Sequence, residues 1–220
     1  MNYFDTLHYG DKDSLRTLVQ EAIAASCGRK INILEIGSAT GVSSAIIAKE
    51  LKVRGAGRLT CVDLWSEVWG KNGEYNDSFD RWLKNMQEEG VTDIIDHIKA
   101  MSTEAASLFP DGYFDMIFID GDHRYSGVKA DIEAYRSKLA PGGIMCGHDL
   151  EIRWSALSPR LKELFMENLE NQDDIEKVLG MFPGVIKAVH DAFGEDGYEV
   201  LPCRVWRAKR IGWRKTEGAR

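Results

Sequence analysis

The 220-residue chain is poor in cysteine and proline and has no long apolar run. Its four cysteines, Cys27, Cys61, Cys146 and Cys203, lie far apart without a C-x-x-C pair, and three fall in strand-like apolar segments. That pattern excludes a disulfide framework and a zinc knuckle. Five prolines and no Pro- or Ser-rich stretch leave nowhere for a linker, and no internal repeat is visible, so residues 1–220 read as one domain. No segment approaches the roughly 18 apolar residues of a membrane span, and the N-terminal MNYFDTLHYGDKD carries charges where a secretory signal would be apolar. No membrane partner and a cytoplasmic location are expected.

Basic residues are outnumbered, 28 Lys+Arg against 35 Asp+Glu, for a net charge of −7. They concentrate at the end: residues 204–220 hold seven basic side chains and one acid, +6, against −13 for the remainder. A solvated end on an acidic domain accounts for this more simply than phosphate contacts, so no nucleic-acid partner is expected. Against these absences, 44% hydrophobic and 29% charged residues are enough for a sizeable core.

Hydrophobic periodicity orders the elements. Leu15, Leu18, Val19, Ala22 and Ile23 predict an amphipathic helix within an N-terminal segment, residues 1–30. Strands follow at 31–37, 58–64, 94–101, 114–121 and 144–149, separated by helices at 41–51, 77–89, 103–109 and around Val128, Ile132, Tyr135 and Leu139. Pro141-Gly142-Gly143 is expected to stop the last of these. Residues 151–182 break the alternation and read as a helical insertion, starting at Ser158-Pro159, that serves as a lid or as a subunit contact in a homo-oligomer. A helix at 184–193 and an antiparallel strand pair, 198–201 with 205–208, close the chain.

Strands alternating with helices predict a doubly wound α/β fold around a mostly parallel sheet, whose ligands bind at the carboxyl ends of the strands. The first such end is Glu35-Ile36-Gly37-Ser38-Ala39-Thr40-Gly41. Two glycines there allow a tight turn and a close approach to a ligand at a helix start. The G-x-G-x-x-G of a dinucleotide fold is missing, which counts against a nucleotide-binding oxidoreductase. Asp63, 22 residues past Gly41, stands where an acid can accept both hydroxyls of a ribose. An adenosine ligand without a pyrophosphate fits both facts.

These residues resemble class I S-adenosylmethionine (SAM) dependent methyltransferases, over about residues 31–150 and the closing strand pair. Val62-Asp63-Leu64-Trp65, Ile119-Asp120-Gly121-Asp122-His123, Gly142-Gly143 and Gly147-His148-Asp149 are similar to a subgroup linked to sugar, glycan and natural-product methylation that includes the cephalosporin hydroxylase-like proteins. The resemblance implies a Rossmann-like, seven-stranded sheet with an antiparallel C-terminal strand. It also implies SAM as cofactor, with Glu35, Gly37, Ser38 and Gly41 lining its methionine end, Asp63 its ribose, and Leu64, Trp65 and Ser102 its adenine. Asp120 is expected at the cofactor too. Ala39 departs from the pattern, since many members have glycine there.

Asp120, Asp122 and His123 follow the fourth strand, and His148 and Asp149 follow the fifth. The segment is similar to metal-dependent catechol-type O-methyltransferases, and by that similarity Asp120, His148 and Asp149 would ligate a divalent metal, Mg or Mn. His123 falls where that family has a catalytic lysine. An imidazole among the ligands suits softer ions than Mg, so His148 has an alternative role in orienting substrate or relaying a proton. The implied reaction is O-methylation of a small molecule or sugar acceptor. A hydroxyl is a poor nucleophile, so it needs a metal or a positioned base. His123, with an ordinary pKa near 6.5, is the expected base, with Asp120 or Asp122 orienting it. A metal-independent enzyme acting on a phenol or catechol is the alternative. Trp65, Trp69 and Trp82 read equally as an aromatic wall or as core.

Overall fold

The computed structural model describes residues 9–65, 68–69, 75–76, 78–170 and 180–209. One seven-stranded sheet runs through it: β1 (Ile31–Ile36), β2 (Gly57–Asp63), β3 (Ile95–Lys99), β4 (Phe114–Ile119), β5 (Leu139–Gly147), β6 (Tyr198–Val200) and β7 (Trp206–Ala208). Their spatial order is β3-β2-β1-β4-β5-β7-β6. The first five pair in parallel, and β7 joins both β5 and β6 antiparallel. Strand order reverses between β1 and β4, where such a sheet opens a crevice at its carboxyl edge. A two-residue antiparallel pair, Val68–Trp69 with Tyr75–Asn76, stands apart from the sheet.

The helices are α1 (Tyr9–Ala25), α2 (Val42–Arg54), α3 (Ser78–Glu88), α4 (Ser102–Ala105), α5 (Tyr125–Arg136), α6 (Pro159–Glu167) and α7 (Pro183–Phe193). Period-2 alternation along the strands feeds a core on each face of the sheet. Ile33, Met116 and Phe118 pack with Leu15, Leu18, Ile47 and Trp82 from α1 to α3. Leu34, Ile36, Ile117 and Ile119 pack with Val128, Ile132 and Ile186 from α5 and α7. All six residues of β4 are buried, as a central parallel strand covered on both faces requires. Gly55, left-handed at φ 56°, ends α2, and Lys52 and Arg54 in its last turn suit the helix dipole.

The structure departs from the predicted boundaries in informative places. Pro141-Gly142-Gly143 does not stop a helix. Helix α5 already ends at Arg136, β5 runs from Leu139, and the register against β4 slips between Phe114 and Met116. The Pro-Gly-Gly run therefore lies in a bulged stretch of strand, where Gly142 takes φ +79°. The third predicted strand shortens at its start because Thr92–Ile94 form a 3-10 turn.

Ser158 and Pro159 do start a helix: the Ser158 hydroxyl accepts the Leu161 amide of α6 at 3.3 Å. Phe165 of α6 is fully buried in the core that holds Leu157 and Phe182. Just beyond α6, the Leu169 carbonyl accepts the Tyr125 amide at 2.9 Å, and Glu170 accepts the Ser126 amide at 3.0 Å. The first part of the insertion is thus built onto the start of α5. Ile175 and Val178, the basic segment from residue 210 onward and the side chain of Trp69 lie outside the described residues. If α6 is an integral part of the core, Phe165→Ala removes about 3–5 kcal/mol. A melting temperature lowered by about 10 °C is the expected result, whereas a helix resting loosely on the surface would leave it unchanged.

Candidate active site

The β1–α2 loop lies at the crevice because Gly37 alone can pass there. At φ +84°, a Cβ on Gly37 would stand 2.1 Å from the Asp120 carbonyl oxygen and 2.6 Å from the Gly121 Cα. The loop therefore runs backbone to backbone against the exit of β4. Gly41, at φ +93°, caps α2 under the Trp82 ring, 2.9 Å from where its Cβ would be. Ala39 adopts the left-handed conformation itself, φ +44°. The alanine thus holds a backbone conformation that glycine adopts freely, at a cost of about 1–2 kcal/mol.

Glu35 and Ser38, expected to line the cofactor, are 0% and 2% exposed and lie beneath the loop. Glu35 Oε2 accepts the Ser38 hydroxyl at 2.6 Å, the Ser44 hydroxyl, and the Cys61 thiol at 3.3 Å. Burial raises the Glu35 pKa, and the hydroxyls work against that rise. These side chains hold the loop, on which Ala39 is exposed and Gly37 and Thr40 are half-buried.

Asp63, at the end of β2, accepts the Ala39 amide at 2.8 Å through one oxygen and the Trp65 amide at 2.7 Å through the other. A carboxylate has about four lone-pair sites, so each oxygen retains capacity towards the crevice. Trp65 is 1% exposed, its indole nitrogen donating to the Ala39 carbonyl at 3.1 Å and its ring packing on Phe79 and Trp82. It is a core side chain that braces the loop, as is Trp82, and neither forms an exposed wall. Leu64 is left exposed at that edge, beside the exit of β3. There Ser102 gives its hydroxyl to the Asp131 carboxylate of α5, and its carbonyl accepts the Tyr135 hydroxyl at 2.7 Å.

The second group forms where β4 and β5 end in register, Ile119 opposite Gly147. His123 Nε2 stands 2.7 Å from Asp149 Oδ2 and 3.6 Å from Asp120 Oδ1. His148 Nδ1 stands 3.1 Å from Asp149 Oδ1 and 4.0 Å from Asp120 Oδ1. Asp122 does not orient His123; it is paired with Arg124, whose amide and Nε both reach it at 2.9 Å. Two residues that spacing did not reveal complete the surroundings. Arg204, from the turn between β6 and β7, lies 3.7 Å from Asp149 and 3.6 Å from Glu151. Pairing across 55 residues leaves no local signature; the consecutive left-handed Cys203 and Arg204 that aim it emerge only in the fold.

Burial alone would lower the His123 pKa, but the carboxylates of Asp120 and Asp149 outweigh it and push it to about 10. Burial likewise opposes ionisation of Asp149, yet His123 and His148 hold it well below the ordinary carboxylate range. Desolvation keeps Asp120 above that range. Both carboxylates therefore favour the protonated form of His123, which opposes the role of base expected of it. Asp120, His123 and Asp149 each bring a ligating atom within 4.8 Å of the others. That donor set, two carboxylates and an imidazole, suits a divalent ion, with His123 in the place expected of His148.

A family described as "Methyltransferase domain" matches residues 34–150, more than half of the chain. The fold is thus that of the class I SAM-dependent methyltransferases. The chain is a member of that methyltransferase family. Among solved structures it is similar to an O-methyltransferase from Bacillus cereus in complex with S-adenosylhomocysteine (SAH), at 17% identity, with 91% of this chain and 81% of that one covered and a TM-score of 0.55. It is also similar to an SAH-bound methyltransferase from Podospora anserina, at 15% identity, 90% and 78% covered and a TM-score of 0.58. A third is a TDP-rhamnose 3′-O-methyltransferase of calicheamicin biosynthesis, at 18% identity, 94% and 82% covered and a TM-score of 0.56. These likenesses establish the fold. A curated relative, an uncharacterized protein of Sinorhizobium fredii, is 41% identical over 51 residues, 23% of this chain, and the match spans 6% of that protein's length. Among the described residues no helix is long and apolar enough to cross a membrane.

Burial pushes the Asp131 pKa up to about 6, with the Ser102 hydroxyl opposing. The folded chain therefore holds this proton more tightly than the unfolded one, and its contribution to stability is full below pH 4 and lost as pH rises through 6. Asp131→Asn is expected to be more stable than the wild type at pH 8, by up to about 3 kcal/mol. That gain should vanish near pH 4, as chemical denaturation at the two pH values would show.

Proposed function

We propose that the chain is a SAM-dependent O-methyltransferase that activates the hydroxyl of a small-molecule or sugar acceptor at the Asp120–His123–His148–Asp149 cluster. The observation that supports this most directly is the pairing of that cluster with the Gly37–Thr40 backbone: Gly37 passes within contact of Asp120, so cofactor loop and acid cluster share one crevice. In this reading the loop from Gly37 to Thr40 faces the methionine end of SAM, with Glu35 and Ser38 supporting the loop and Gly41 admitting it against α3. Asp63 takes the ribose hydroxyls while it holds the loop, and Leu64 and Ser102 border the adenine.

Methyl transfer is an in-line displacement from a sulfonium, so the protein's part is alignment and provision of an oxygen nucleophile. Asp120, His123 and Asp149 would hold a divalent cation, with His148 bracing Asp149 from its other side. When bound, such an ion stabilises a developing alkoxide. His123 is held in its protonated form while Asp120 and Asp149 face it, and it would have to give that proton up to ligate an ion, so it would act as ligand rather than as base. The TDP-rhamnose 3′-O-methyltransferase among the similar structures favours a sugar hydroxyl over a phenol as acceptor, on the strength of fold likeness alone.

Calorimetric titration with SAH is expected to show micromolar binding that Asp63→Ala weakens about ten- to a hundredfold, the range for hydrogen bonds to a charged group. Titration with Mn²⁺ is expected to show one site that Asp149→Asn removes. An absence of SAH binding would overturn the cofactor site. Full SAH binding with no Mn²⁺ site would leave a methyltransferase without the metal.

A further inference from the structure

The turn after β3 is held by α5 at two points: Asp131 accepts the Ser102 hydroxyl, and Tyr135 donates to the Ser102 carbonyl at 2.7 Å. Both α5 residues are buried, at 3% and 0% exposure. The other Asp131 oxygen lies 3.8 Å from where a Cβ on Gly121 would be, and Gly37 N lies 3.9 Å from that same point. The carboxylate therefore sits under the floor of the crevice, where the β1 and β4 exits meet. A buried carboxylate is expensive without full compensation, and this one has a serine hydroxyl where an apolar pair would pack at lower cost. Next to Ser102 stands Met101, 48% exposed, and across the adjoining strand exit stands Leu64, 47% exposed. The Ala100 amide bonds to the Asp63 carbonyl at 3.1 Å and locks the two exits in register. Two large apolar side chains are thus left in water on neighbouring strand ends, beside the acid expected at the ribose. A flat purine between them would bury both.

We propose that Asp131 is a positioning residue of the cofactor site: through Ser102 it fixes the turn that presents Met101, opposite Leu64, to the adenine of SAM. This rests on the methyltransferase reading above and adds two residues to it, Asp131 beneath the crevice and Met101 on its rim. Asp131 touches no ligand itself. It sets where the turn stands, and Tyr135 closes the grip from the same helix. The loss on truncation is then confined to the adenosine half of the cofactor.

The test is calorimetric titration of the full chain with SAH and, separately, with adenosine, for the wild type, Asp131→Ala, Asp131→Asn, Ser102→Ala and the Asp131→Ala/Ser102→Ala double variant. Thermal unfolding confirms that each is folded. Asp131→Ala and Ser102→Ala are each expected to weaken SAH and adenosine by the same factor, about fivefold or more, with the double variant no worse than either single one. Asp131→Asn, whose amide oxygen still accepts from Ser102, is expected to stay within about threefold of the wild type. A folded Asp131→Ala that binds like the wild type would overturn the proposal. So would losses that multiply in the double variant, or an Asn variant as weak as the Ala one. If the wild type binds neither SAH nor adenosine, the cofactor reading itself fails, and this inference falls with it.

Discussion

Two carboxylates at the ends of adjacent parallel strands, with an imidazolium between them, are the constraint around which the crevice is arranged. Asp120 and Asp149 are carried to one rim by the in-register pairing of β4 with β5. Their mutual repulsion in a desolvated site requires a positive partner. His123 supplies it in this structure, at 2.7 Å from Asp149. The same demand makes the cluster suited to a divalent ion, which would balance the carboxylates and take the imidazole as a neutral ligand.

The cofactor side depends on a different economy, that of backbone. Gly37 lies where no side chain fits, and Glu35, Ser38, Ser44 and Asp63 are turned to hold the loop from below and behind. The polar groups that a sequence reader assigns to the ligand are thus largely engaged by the protein. The loop's own backbone is bonded as well, the Ala39 amide to Asp63, the Ala39 carbonyl to Trp65 and the Thr40 carbonyl to Asn85. In the proposed reading a ligand would meet the exposed Ala39, the remaining lone pairs of Asp63 and the exposed Leu64 on a loop whose shape these bonds already hold.

Much of this was legible in the chain. Five strand-like runs between 31 and 149 all became strands: β1, β2 and β4 are apolar runs of the kind that parallel strands covered on both faces require, whereas β3 is a largely exposed edge strand. The strand-exit acids and histidines were legible for the same reason, since a sheet brings all its exits to one edge. What stayed hidden was set by tertiary contact. Trp65 looked available for adenine and is core, because Ala39 and α3 close over it. His123 reads as a base by its ordinary pKa, and Asp120 with Asp149, which arrives from another strand, raises that pKa. Arg204, Glu151 and Asp131 carried no local signal, and Pro141-Gly142-Gly143 read as a helix stop where the strand instead accommodates a bulge.

The central claim is that the cofactor's methyl group and the Asp120–His123–Asp149 cluster occupy one crevice. Paramagnetic broadening tests it directly, by recording the NMR signal of ¹³C-methyl SAM bound to the protein while Mn²⁺ is added. The methyl resonance is expected to broaden strongly in the wild type and to remain sharp in Asp149→Asn. A methyl signal that stays sharp in the wild type with both SAM and Mn²⁺ bound would contradict the account.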